Sequence, residues 1–195
     1  MLSPDQKGAV AELAITHHAA RLGIGVLRPL TDGLRYDLVF DLGERLLRVQ
    51  CKWAARRGDV LVVPCRSCRR SAQGFSRRPY SAEEVDLLAA YSLELDRSYL
   101  ISPCVFSGRP SIQLRLSPAR NNQRRGINWA EDFDFAATIR SWGHSSVGRA
   151  SAWHAEGHGF EPRWLHLTRY CANRRRHAVD GEDPAAVMHA DFLDE

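Results

Sequence analysis

Apolar side chains recur along the first part of the chain at two spacings, one typical of helices and one typical of strands. After Ser3 and Pro4, which suit the start of a helix, apolar residues at helical spacing continue to Gly23, which suits its end. Short β-like runs bounded by glycine or polar residues then predict four strands, in IGVLRP, RYDLVFDL, RLLRVQCKWA and DVLVVPC.

The second part of the chain predicts two more helices and two more strands. Ser81 and Glu84 have the spacing of a capping box, which predicts a second helix over SAEEVDLLAAYSLEL. Strands are predicted in SYLISP and SIQLRL, and a last helix in NWAEDFDFAATI. The predicted order is therefore a helix, four strands, a helix, two strands and a helix.

The second and third predicted strands flank Gly43 and Glu44, which suit a two-residue hairpin turn. Such a turn places Asp37 opposite Gln50, and Lys52 follows one step further on the same face because side chains alternate along a strand. The opposite face is almost entirely apolar and carries Tyr36, Leu38, Phe40, Leu42, Leu47, Val49, Cys51 and Trp53. The hairpin therefore predicts one core face and one polar face, with an acid, an amide and a lysine gathered at the end far from the turn.

This group of side chains suits metal-assisted hydrolysis of a phosphodiester bond. Mg²⁺ prefers oxygen ligands, which Asp37, the side-chain carbonyl of Gln50 and the backbone carbonyl of Cys51 can supply. Lys52 would orient the attacking water or stabilise the developing negative charge. Glu12, on the first helix, would bind the metal directly or through water.

At these residues the chain resembles the PD-(D/E)XK nuclease superfamily, which has the restriction-endonuclease-like fold. The motif segments are KGAVAELA, RYDLVFD and RVQCKWA, and the matching residues are Glu12, Asp37, Gln50 and Lys52. Glutamine stands where the superfamily usually has an acid, as in a subgroup similar to group I intron homing endonucleases. The resemblance covers about residues 3–136. It implies an α/β core with a mixed central sheet flanked by helices, and a DNA endonuclease that uses Mg²⁺ or Mn²⁺.

Two alternatives to a homing endonuclease stay open at this point. The same core layout occurs in Holliday-junction resolvases, which are structure-specific nucleases. A catalytically inactive protein on the same fold would bind DNA without cleaving it.

The basic residues of the chain favour double-stranded DNA as the partner. Of 27 basic residues only two are lysines, Lys7 and Lys52, and both lie in the motif segments. Arginine and amide side chains can bind phosphates and base edges. They concentrate in two clusters, the first made of Arg56, Arg57, Arg66, Arg69, Arg70, Arg77 and Arg78, the second of Arg115, Arg120, Asn121, Asn122, Gln123, Arg124 and Arg125.

The remaining composition predicts a cytoplasmic protein that is not bound to a membrane. No apolar run approaches the roughly 18 residues of a membrane span, and the N-terminus does not have the pattern of a secretory signal. Five cysteines in 195 residues do not suggest a disulfide scaffold. A homo-oligomer is expected, because reading a long DNA site usually requires symmetry.

The C-terminal part of the chain is expected to lie outside the nuclease domain, which is predicted over residues 1–141. Residues 142–166 resemble an alanine transfer RNA gene translated in frame, since SSVGRA and GFEP can be encoded by its D-arm and T-arm. This segment is predicted to be unstructured, and residues 167–195 are predicted to be a disordered tail.

A chain that ends at Ser141 is therefore expected to fold and to cleave DNA as the full chain does. Thermal unfolding and DNA cleavage by the two chains, measured side by side, check this expectation. Loss of activity in the shorter chain would show that the C-terminal residues take part in function.

Overall fold

The computed structural model describes residues 2–43, 45–71, 74–118 and 126–143. All of its helices and strands belong to one compact unit. In chain order they are α1 (Pro4–Arg21), β1 (Gly25–Leu27), β2 (Leu38–Asp41), β3 (Leu46–Trp53), β4 (Ala55–Arg57), β5 (Val60–Pro64), β6 (Arg66–Ser71), β7 (Gly74–Pro79), β8 (Leu87–Ser92), β9 (Arg97–Ile101), α2 (Pro103–Phe106), β10 (Ser111–Arg115), a 3-10 turn (Glu131–Phe133) and α3 (Phe135–Gly143).

A mixed sheet of five strands carries most of these elements, in the order β1, β2, β3, β8 and β9. Strand β3 pairs parallel with β8, and the other neighbours in this sheet pair antiparallel. A second, antiparallel sheet has the order β10, β5 and β4, and β6 and β7 form a two-stranded ribbon. The α/β fold with a mixed central sheet is therefore confirmed.

Two hydrophobic cores cover the two faces of the five-stranded sheet. Alternate residues of β8 point into different cores, as period-two side chains require. Leu87, Ala89 and Tyr91 pack with α1 and α3. Leu88 and Ala90 pack with β5, β10 and α2 on the other face. Because β8 is buried on both faces, it reads as a continuous apolar run rather than an alternating one.

Helix α1 is fixed at its start by a reciprocal cap. The Ser3 side chain accepts a hydrogen bond from the backbone of Gln6, and the Gln6 side chain accepts one from the backbone of Ser3. Its inward side chains, Ala11, Ile15 and Ala19, are fully buried against the sheet. The predicted first helix is confirmed, and Glu12 lies next to this buried stripe.

The predicted hairpin forms with the predicted register. Gly43 has a positive φ of 81°, which favours glycine, and Leu42 donates a backbone hydrogen bond to Arg45 across the turn. Leu38 pairs with Val49 and Val39 pairs with Arg48. Phe40 and Val49 are fully buried, so the apolar face faces the helices as expected.

The predicted second helix over residues 81–95 is wrong. Ser81 and Glu84 start only a single turn, and Leu87–Ser92 is strand β8. The run Leu-Leu-Ala-Ala suits a helix by propensity, but pairing with both β3 and β9 satisfies its backbone in the sheet. The predicted last helix begins later than expected, at Phe135, after a 3-10 turn.

Several elements have no counterpart in the sequence prediction, namely β4, the β6–β7 ribbon and α2. Helix α3 ends at Gly143, two residues past the predicted domain boundary. The predictions for residues 144–195, including most of the tRNA-like segment, lie outside the described residues. Within those described residues no helix has the length and hydropathy needed to cross a membrane.

Candidate active site

Three of the predicted site residues meet where β2 and β3 lie farthest from their turn. The backbone N–H of Asp37 donates to the carbonyl of Val49 at 2.9 Å, so Asp37 extends the β2–β3 pairing. Its carboxylate oxygen Oδ2 accepts a hydrogen bond from the backbone of Cys51 at 2.9 Å and another from the Gln50 amide. The same amide donates to the Cys51 carbonyl at 3.2 Å. The Asp37 carboxylate and the Cys51 carbonyl therefore converge on the Gln50 side chain, which is only 5% exposed.

Burial dominates the electrostatics of Asp37. It raises the pKa of the carboxyl above its ordinary value, although the Cys51 N–H, Lys52, Arg28 and Gln50 all favour the charged form. A buried carboxylate with a raised pKa is often found at a functional site. A bound cation would favour the charged form of Asp37 and so offset the effect of burial.

Glu12 reaches the same site from α1. Its carboxylate oxygen Oε2 accepts a hydrogen bond from Arg28 at 2.7 Å, and its side chain is 25% exposed. Burial and the negative charge of Asp37 raise the pKa of Glu12, whereas Arg28 and Lys52 lower it. The two carboxylates are thus close enough to repel each other, as in a shared metal site.

Lys52 lies one step beyond Cys51 on the face of Asp37 and Gln50. Its ammonium nitrogen Nζ lies 5.0 Å from the centroid of the Tyr80 ring. Its positive charge lowers the pKa of both Asp37 and Glu12. All four residues predicted to carry the chemistry are therefore brought to one site.

The thiol of Cys51 points away from this site and into the core under α1. Burial, with the charges of Asp37 and Glu12, raises the pKa of the thiol well above its ordinary value. The thiol therefore stays protonated, and Cys51 offers its backbone carbonyl rather than a thiolate.

The donor set fits a hard divalent cation. Carboxylate, amide and backbone carbonyl oxygens are the ligands that Mg²⁺ and Mn²⁺ prefer. The Gln50 amide nitrogen donates to the Asp37 carboxylate and to the Cys51 carbonyl. Rotation of the amide by half a turn would present the amide oxygen to the cation instead. Among the described residues no group of three or more His, Cys, Asp or Glu side chains clusters, so the site has two carboxylates rather than three.

The predicted DNA-binding arginines fall on two of the unforeseen elements. Arg56 and Arg57 lie on β4 and are exposed. Arg77 and Arg78 lie on the ribbon strand β7 and are also exposed, and Arg78 pairs with Glu84. Arg69 and Arg70 lie on the partner strand β6. The remaining predicted residues, Arg120, Asn122, Gln123, Arg124 and Arg125, lie outside the described residues.

Sequence reasoning missed three residues around the site. Arg28 pairs with Glu12, and Arg35 and Tyr80 form a contact beside Lys52. Arg28 and Arg35 lie in segments predicted as strands, but nothing in the spacing of these residues or of Tyr80 indicates what each would contact. Only the fold brings them to the site.

Comparison with known proteins found one matching family and similar solved structures. A profile of the PD-(D/E)XK endonuclease family matches residues 2–136. The structure of the bacterial homing endonuclease I-Ssp6803I is similar, with 32% sequence identity and a TM-score of 0.59 over 74% of this chain and 98% of that one. The crystal structure of MepB aligns with 16% identity and a TM-score of 0.30, over 67% of this chain and 91% of that one. No curated protein sequence matches.

The family match covers more than half of the chain, and the matched range contains Glu12, Asp37, Gln50 and Lys52. The homing endonuclease is matched over nearly its whole length. This chain belongs to the PD-(D/E)XK endonuclease family.

Proposed function

We propose that this protein is a divalent-metal-dependent DNA endonuclease of the homing type. The observation that carries the proposal is the convergence of Asp37, the Gln50 amide and the Cys51 carbonyl beside the Lys52 ammonium. Mg²⁺ or Mn²⁺ is the proposed cofactor, with Asp37, Gln50, the Cys51 carbonyl and Glu12 as its ligands. The similarity to a homing endonuclease supports the homing type.

Each residue has a distinct proposed role. A bound divalent cation would supply Lewis-acid activation of a water and of the scissile phosphate. Asp37 and Gln50 bind it, and Glu12, held by Arg28, completes the coordination directly or through water. Lys52 provides an ammonium that orients the water or stabilises the negative charge of the transition state.

Glutamine in the acidic position changes the charge of the site. Two carboxylates with one ammonium and one guanidinium leave the site near neutrality, whereas a third carboxylate would make it negative. We infer that one cation rather than a tight pair binds here, because two cations need more compensating negative charge.

Double-stranded DNA is the proposed substrate, and the β6–β7 ribbon is its proposed contact. A two-stranded β-ribbon fits the major groove of B-DNA, and arginines bind both phosphates and guanine edges. In the register of this ribbon, Arg70 pairs with Phe75 and Cys68 pairs with Arg77 on one face. That face carries Phe75, 68% exposed, and Arg77, so it offers apolar and cationic groups together. A symmetric homo-oligomer would present two such ribbons to a long site.

Cleavage is expected to need Asp37 and Lys52. Asp37→Ala and Lys52→Ala should each slow Mg²⁺-dependent cleavage by at least about a hundredfold, because each removes a group that acts on the reacting phosphate. The assay uses a randomised duplex library, supercoiled plasmid and four-way junctions, with Asp32→Ala, an exposed aspartate, as the matched control.

The choice of substrate in that assay separates the alternatives. Preferred cutting of junctions would favour a resolvase over a homing enzyme. If the wild type cuts no form of DNA with Mg²⁺ or Mn²⁺, the result would favour a catalytically inactive DNA-binding protein on the same fold.

The raised pKa of Asp37 predicts how stability depends on pH without metal. A folded-state pKa above the unfolded value makes the wild type lose stability as pH rises through the interval between the two. In EDTA at pH 7, Asp37→Asn should therefore unfold with a larger free energy than the wild type. Urea unfolding at several pH values measures this, with Asp32→Asn as control.

Added Mg²⁺ should make the wild type more stable than Asp37→Asn. Because a ligand that binds only the folded state stabilises it, Mg²⁺ should raise the melting temperature of the wild type but not of Asp37→Asn. Equal or lower stability of Asp37→Asn in EDTA would contradict the claim that burial of the charged Asp37 destabilises the metal-free protein. Equal Mg²⁺ shifts in both proteins would contradict Asp37 as a ligand.

Arg77 is expected to bind a DNA phosphate. Arg77→Ala should weaken binding to duplex DNA and should lower the slope of log affinity against log salt by about 0.9, the value for one phosphate contact. Fluorescence anisotropy without divalent metal measures the slope at several salt concentrations. Arg21→Ala, an exposed arginine at the end of α1, is the matched control, and equal slopes in the two variants would exclude Arg77 as a phosphate contact.

A further inference from the structure

The Lys52 ammonium is held by an aromatic ring rather than by an acid. Nζ lies 5.0 Å from the Tyr80 centroid, within the range of a cation–π contact. Within the part of the chain that the structure describes, the ammonium takes part in no hydrogen bond or ion pair. Tyr80 itself is 3% exposed and belongs to the core between the two sheets.

Arg35, which lies between β1 and β2, fixes the Tyr80 ring. Its guanidinium carbon lies 4.3 Å from the ring centroid. Its three nitrogens donate to Glu84 at 3.2 Å, to the Ser67 hydroxyl at 2.7 Å and to the Pro79 carbonyl at 2.8 Å. The Arg35 side chain is 19% exposed, and Glu84 offsets its charge. Arg35 therefore has little freedom to move, and neither has the ring against it.

The same contacts tie the ring to the base of the ribbon. Ser67 lies on β6 and Pro79 ends β7, so Arg35 bonds to both ribbon strands. The backbone N–H of Tyr80 donates to Cys65, just before the ribbon, at 3.0 Å. Arg35 also lies two residues before Asp37 in the chain. One side chain thus links the ribbon, the ring beside Lys52 and the segment that carries Asp37.

We propose that Tyr80, held by Arg35, is a positioning residue that fixes the Lys52 ammonium for phosphodiester cleavage. This inference rests on the proposed function, in which Lys52 acts on the reacting phosphate. A ring attracts a cation through its quadrupole and takes up none of its N–H donors. A carboxylate in the same place would bind those donors and compete with the phosphate. The ring therefore holds the ammonium in place while all three N–H groups stay available.

The contact itself can be tested without any cleavage. The chain has only two lysines, so selective ¹³C labelling of lysine gives two ε-methylene signals. Lys7→Arg assigns them by removing one of the two signals. The assignment is needed because Lys7 also lies near a ring, 5.8 Å from the Trp53 centroid. The Lys52 ε-protons should be shifted upfield by the ring current in the wild type and in Tyr80→Phe, and should move to the random-coil position in Tyr80→Leu. A random-coil position in the wild type would overturn the proposal even if the protein cleaves DNA.

The role of Tyr80 in cleavage is tested by weakening the attraction of the ring for the cation while its shape is kept. Phenylalanines with one, two and three ring fluorines are introduced at position 80 in the full chain, with Tyr80→Phe as reference. A cation–π contact predicts that the single-turnover rate falls stepwise along the series, by about tenfold in total, with DNA affinity unchanged within about twofold. Tyr80→Phe should keep the rate of the wild type within about threefold, since the hydroxyl is not part of the contact.

The outcomes separate this proposal from the proposed function. A flat series, or a rate lost already in Tyr80→Phe, overturns the role of the ring while cleavage by the wild type upholds the endonuclease. A fall in DNA affinity in parallel with the rate assigns Tyr80 to binding and overturns positioning. If the wild type does not cleave, the endonuclease proposal and the role of Tyr80 in it fail together, and the lysine signals still report whether the contact exists.

Discussion

The register between β2 and β3 is the constraint on which the site depends. Because side chains alternate along a strand, a slip of one residue would move every side chain of a strand to the opposite face. A slip of β2 would point Asp37 at α1 and turn Phe40 away from the core that buries it completely. A slip of β3 would do the same to Gln50 and Val49. Burial of one apolar face therefore fixes the register, and the register places the polar groups together. The chemistry of one face is specified by the packing of the other.

The central hairpin and the first helix could be predicted because their signals are local. Gly43 marks the turn, alternation marks the faces, and Ser3 with Pro4 marks the helix start. The motif segments identified Asp37, Gln50 and Lys52 for the same reason, since the hairpin alone brings them together. Glu12 gave a weaker signal, because its place at the site depends on how α1 packs against the sheet.

The rest depends on contacts between segments that are distant in the chain. The prediction of a helix at β8 is wrong because a strand buried on both faces does not alternate apolar with polar residues, and the residues of Leu87–Ser92 also suit a helix. The β6–β7 ribbon gave no signal because most of its residues are arginine and serine rather than alternating apolar residues. Tyr80 and Arg35 are separated by 45 positions, so no sequence spacing could have paired them.

The attachment of the ribbon has a consequence for how such a protein can diversify. Among the described residues, the side-chain bonds that join the ribbon to the body involve Ser67 and Arg78, and Pro79 adds a backbone carbonyl, all three near its base. Residues nearer its tip, such as Phe75 and Ser76, are exposed and belong to neither hydrophobic core. Under the proposed function, changes there would alter which DNA is chosen and leave the machinery that cuts it intact. Under the same proposal, the preferred DNA target could change through mutations that leave the stability of the protein nearly unchanged.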